Sequence, residues 1–128
     1  MKLPDVNRKN VQLQLNEVEI IEETIQQIMK DFGMFGMDIV FSGDIENAYF
    51  EIFNQVVYQI EDLFRISSSR LLAVLYQIDI SNEQIEKAHN ITPDSTLQEV
   101  VAEQIIQREL KKVLTRRYFK LNTNKELD

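Results

Sequence analysis

Glu86 and His89 stand three residues apart, so on a helix they would share one face and offer two metal-ligating groups. Di-iron carboxylate bundles need two such pairs and two further Glu. His89 is the sole histidine of the chain, so this half-motif reads as two neighbours on a surface helix. Glu19, Glu22, Glu23, Glu61 and Asp62 offer carboxylates for hard cations or acid–base work. None has the loop spacing of a calcium hand, and a solvated helix face is the better account. Asp31-Phe32-Gly33 spells a kinase triplet without the phosphate loop, lysine strand or catalytic loop that would give it meaning. Ser67-Ser68-Ser69 has no His or Lys placed to activate a hydroxyl, and capping explains it better. The chain has no Cys, which removes disulfides, thiolate metal sites and cysteine nucleophiles. A carboxylate-metal enzyme or a small-ligand carrier, resting on Glu86 and His89 and on the aromatic residues, is therefore the weakest reading, and no enzyme, metal, cofactor or small-molecule ligand is expected.

Charge is more informative. Residues 1–64 carry four basic and twelve acidic side chains, and residues 65–128 carry ten and nine. Over 106–121 there are six cations and only Glu109 as an acid. Arg108, Lys112, Arg116 and Lys120 recur every four residues and form one slowly rotating stripe on a helix. Such a stripe is either a docking face for an acidic partner or phosphate backbone, or a brace against the chain's own acidic first half. The net charge of −7 opposes approach to nucleic acid and to anionic membranes.

The elements that must position these residues are helices. With 128 residues, 44% hydrophobic and 27% charged, the chain suits one soluble domain with its own core. No apolar run approaches a membrane span and no signal-peptide core follows the first charges, so the expected location is the cytoplasm. Val18, Ile21, Ile25, Ile28, Met29 and Phe32 place a first helix at about 16–32. A second, from about Asp44 to Ile66, carries Ile52, Phe53, Val56 and Ile60 and is apolar on most sides, which marks it as central. Arg70–Ile78 and Ser81–Asn90 make a short pair. Ser81 with Gln84 and Thr96 with Glu99 have the spacing of capping boxes. The last helix runs to about Lys120. The short pair has the outline of a helix-turn-helix, but its second helix presents Glu83 and Glu86 where DNA contacts should be, so a packed corner is preferred. Val11–Leu15 alternates with period two and offers a competing strand that would pair with Asp38–Phe41.

The expected fold is therefore all-α, a single-domain bundle of about five helices, three longer and two short. Residues 1–15 form an N-terminal arm and 122–128 a frayed tail. Ile52, Phe53, Val56, Ile60, Leu75 and Val101 are expected in the core. The loop Gly33–Phe41 is unusually apolar, with Met34, Phe35, Met37 and Phe41, and should be packed down or meet a partner. The expected function is a non-enzymatic protein–protein interaction or assembly module, with a second copy of the chain as one partner. Its contacts would come from that loop and from Arg108, Lys112, Arg116 and Lys120. The alternative is a nucleic-acid-associated protein using the basic stripe.

Overall fold

The computed structural model describes the backbone over residues 8–127 and the side chains over residues 17–120. The described chain is all-α: α1 (Arg8–Gly33), α2 (Ala48–Ile66), α3 (Ser68–Ile78), α4 (Asn82–Ile91) and α5 (Leu97–Leu127). Three helices are long or medium and two are short, and no strand occurs among the described residues.

Helix ends follow local chemistry. Gly36 adopts a left-handed φ of 74° just beyond α1, and the amide of Met37 reaches back to the carbonyl of Phe32 at 3.0 Å. Phe32 and Met37 are both buried, so the hydrophobic contact that accompanies this helix stop is present. Asp79 repeats the device after α3 with φ 69°, and Ile80 then bonds back to Leu75 at 2.9 Å. Ser67 caps α3 by accepting from the amide of Arg70 at 3.2 Å. Ser81 and Gln84 form a complete capping box on α4. Thr96 and Glu99 do the same before α5, with bonds of 2.9 and 3.1 Å.

Several boundaries differ from the sequence reading. Val11–Leu15 is helical and not a strand, since α1 begins at Arg8; residues 1–7 of the expected arm lie outside the described residues. Val11 and Leu15 also sit seven and three residues from Val18, at helical spacing, so the period-two signal loses to continuation of α1. The extended piece near Val40 is instead satisfied by α2. Gln55 accepts from the Val40 amide at 2.8 Å and donates to its carbonyl at 2.7 Å, while Glu51 accepts from the amide and hydroxyl of Ser42. Asp44 does not cap α2. It accepts from the Asn47 side chain at 2.8 Å within a preceding turn, and the helix starts at Ala48. α5 passes the expected stop at Lys120 and continues to Leu127, so 122–127 are helical; Asp128 lies outside the described residues.

The core joins all five helices. Ile28 and Phe32 of α1 meet Ile52, Val56 and Ile60 of α2, Val74 and Ile78 of α3, Ile85 of α4, and Val101, Ala102 and Ile105 of α5. Of the six residues expected inside, Ile52, Val56, Ile60, Leu75 and Val101 are buried, and Phe53 is half-buried at its edge. Phe53 stacks on Tyr49 at 5.6 Å instead of pointing to the centre.

Candidate functional site

α1 and α5 pack against each other in opposite directions. Asp31 lies beside Lys112, Gln27 beside Arg116, and Glu23 and Glu19 beside Arg117. Of the basic stripe, Lys112 and Arg116 thus meet α1 across this seam, while Arg108 turns to the end of α3. Arg108 binds the carboxylate of Asp79 at 2.9 Å. Lys112 lies 2.8 Å from Glu109 and 3.7 Å from Asp31. Arg116 donates to the side-chain oxygen of Gln27 at 2.9 Å. Arg117, outside the four-residue stripe, reaches Glu23 at 3.0 Å and Glu19 at 3.4 Å, and these acids hold its guanidinium above its ordinary pKa. Lys111 and Lys120 face solvent.

Two carboxyls are sealed into the seam. Glu109 is 0% and Asp31 3% exposed. Asp31 Oδ1 accepts from Gln27 Nε2 at 3.1 Å. Asp31 Oδ2 and both oxygens of Glu109 lack a hydrogen bond, and Lys112 is an ion-pair neighbour without aligned hydrogen-bond geometry. Burial, followed by the neighbouring Asp31 carboxyl, pushes the Glu109 carboxyl up to about 8, and Lys112 opposes this. Neither acid stands out in a charge count. The signal was their register: Glu109 lies four residues from both Ile105 and Val113, and Asp31 three from Ile28, all on buried faces.

The apolar loop is mostly turned onto its own core. Met37 and Ile39 are buried, Phe35 and Phe41 are half-buried against the core, and Met34 and Val40 remain exposed. The Phe35 carbonyl also accepts from Arg70. Of the loop residues expected at an interface, Met34 is the one that is exposed, at 60%. Among the described residues, no group of three or more His, Cys, Asp or Glu side chains could hold a metal, and no helix is long and apolar enough to cross a membrane.

The larger apolar opening lies elsewhere. A groove of about 430 Å³ runs between α1, the start of α2 and α5. Val18, Ile21, Ile25 and Ile28 form one wall, Ala48, Tyr49 and Ile52 another, and Ile106 the third; Glu17 and Glu46 are its charged members. On α5, Leu110, Leu114 and Tyr118 follow Ile106 at four-residue spacing and so lie along the same helix face. Leu110 is half-buried, whereas Leu114 is 45% and Tyr118 63% exposed. Lys111 and Lys120 flank this outer stretch. Comparison with known families, characterised proteins and solved structures finds no match to this chain.

Proposed function

We propose that the chain is a non-enzymatic protein–protein assembly module that pairs with a second copy of itself. The observation that carries this reading is the open apolar groove, together with the exposed Leu114 and Tyr118 on the α5 face that Ile106 begins. One small bundle has left Val18, Tyr49, Leu114 and Tyr118 partly or largely in water along connected elements. Charge favours a second copy as the occupant. The groove side is acidic, with Glu17 and Glu46, and the outer stretch of α5 is basic, with Lys111 and Lys120. A two-fold axis would set the acidic side of each copy against the basic end of α5 in the other, and would do so twice.

The interface is therefore shifted from the sequence expectation. Met37 is buried and Phe35 and Phe41 are half-buried, which leaves the loop little to offer beyond Met34. Arg108, Lys112 and Arg116 are engaged within the chain, which weighs against the nucleic-acid alternative.

Sedimentation equilibrium across a concentration series tests the reading. A dimer that Leu114→Glu with Tyr118→Glu converts to a folded monomer is the expected result. A wild-type chain that stays monomeric at millimolar concentration overturns it, and binding of the groove to a basic amphipathic helix would then point to a different protein partner.

A further inference from the structure

We propose that Asp31 and Glu109 together hold one proton that locks α1 to α5, and that losing this proton loosens the seam. This inference is independent of what covers the groove. Three facts of geometry support it. Two carboxyls are buried side by side, at 3% and 0% exposure. A single cation, Lys112, serves both, at 3.7 and 2.8 Å. Three of the four carboxyl oxygens have no hydrogen-bond donor.

With both acids ionised, the cluster would carry an uncompensated negative charge at a buried site, which proteins avoid by neutralising the group. One proton on Glu109 changes this. Glu109 then donates to Asp31, which it can reach, and a single carboxylate remains to face Lys112. Among the described residues, the charged groups set against Glu109 are Asp31 and Lys112. Gln27 of α1 is neutral, and the core faces of α2, α3 and α4 are apolar, with Ile52, Val56, Val74 and Ile85. The nearest acid at the end of α3, Asp79, is bound by Arg108.

Held at about 8 by burial and by Asp31, the folded carboxyl keeps its proton far above the ordinary carboxylate range. The folded state thus binds one more proton than the unfolded state between that range and about pH 8. Its contribution to stability is full at pH below the ordinary carboxylate range. It is lost as pH rises toward 8 and changes no further above it.

The test is urea unfolding of wild type and Glu109→Gln from pH 5 to 9.5. Gln is neutral, can donate to Asp31 and does not titrate. The ratio of the two unfolding constants should move against wild type by up to about tenfold per pH unit until about pH 8, then level off. A ratio that stays flat overturns the proposal. Carbon-13 titration of the Glu109 carboxyl in the wild-type protein gives a second reading if the variant fails to fold. An inflection in the ordinary carboxylate range would also overturn it. Asp31→Asn removes the acidic neighbour, so the pH window should shorten. Amides around Gln27–Phe32 and Arg108–Lys112 should exchange faster above pH 8, after correction for intrinsic rates, if the seam is the part that loosens.

Discussion

Arg108 holds Asp79 at two points, with Nε donating to its main-chain carbonyl at 3.3 Å and Nη2 to its carboxylate at 2.9 Å. Asp79 is the residue whose left-handed backbone stops α3, so the first cation of the α5 stripe fastens a helix end. An Asp tolerates this conformation better than most L-residues because its short polar side chain bonds locally. The carboxylate is 79% exposed, so the ion pair itself is worth at most about 1 kcal/mol. Asp79→Asn should cost less than about 1 kcal/mol, because it keeps the backbone preference and the bond to the carbonyl. Asp79→Ala adds the left-handed penalty of about 1–2 kcal/mol. Equal losses in urea melts of the two variants would show that the backbone conformation is not what Asp79 supplies.

Phe32 is fully buried, while Phe53 is half-buried. Phe32→Ala should cost about 3–5 kcal/mol, the range for emptying a packed aromatic site. Phe53→Ala should cost about 1–2 kcal/mol, since only part of its surface leaves water on folding. Chemical denaturation of both variants checks the order. A larger loss at Phe53 would place α2, and not the end of α1, at the centre of the core.

The elements were readable from the sequence because helix signals are local. Ser81 with Gln84 and Thr96 with Glu99 form the expected capping boxes, and five of six expected core residues are buried. What escaped was tertiary. On α5 the apolar spacing gives a stripe of Leu97, Val101, Ile105, Leu110, Val113 and Leu114, with Glu109 outside it. In the fold the inward line is Val101, Ile105, Glu109 and Val113, which leaves Leu114 exposed. A charged residue on that line looks like surface until α1 is known to cover it. The apolar loop took the packed-down of its two expected courses because Gln55 and Glu51 satisfy its backbone, so Met37 and Ile39 can turn inward.

Lys112 is the sole cation beside two buried acids, so its removal should be felt even though its side chain is 24% exposed. Lys112→Met keeps the apolar stem and deletes the charge. A loss of about 1–3 kcal/mol at pH 7 is expected, below the 3–5 kcal/mol of a fully sealed pair, because Glu109 can stay protonated. The loss should grow at alkaline pH, where Glu109 ionises without a partner. A loss that does not change between pH 6 and pH 9 would mean that Lys112 acts through its stem alone.

If the acidic side of the groove meets the basic end of α5 in a second copy, association should weaken as salt rises. Exposed charges more than roughly 8–10 Å apart are screened near physiological ionic strength, so this long-range contribution fades first. Sedimentation equilibrium at low and high salt measures it. Lys111→Glu with Lys120→Glu should weaken the dimer and reverse the salt trend. An association that strengthens with salt in wild type would point to an apolar interface without charge matching.

Reversal of Arg108, Lys112 and Arg116 to Glu separates a brace from a docking face. Each faces a partner within the chain: Asp79, the Asp31–Glu109 pair, and Gln27. Reversal at 108 sets an acid beside the exposed carboxylate of Asp79, which is a modest penalty. At 112 it places a third carboxyl against two buried ones, which is a large one. Together they should cost more than about 4 kcal/mol, a major part of the 5–15 kcal/mol that holds a typical domain together. Circular dichroism melts of the triple variant should therefore show a chain that is unfolded or nearly so at 25 °C. A triple variant that melts like wild type would return the stripe to the outside of the molecule. If the wild-type chain then bound duplex DNA in a salt-sensitive way that the variant lost, the nucleic-acid reading would replace the assembly one.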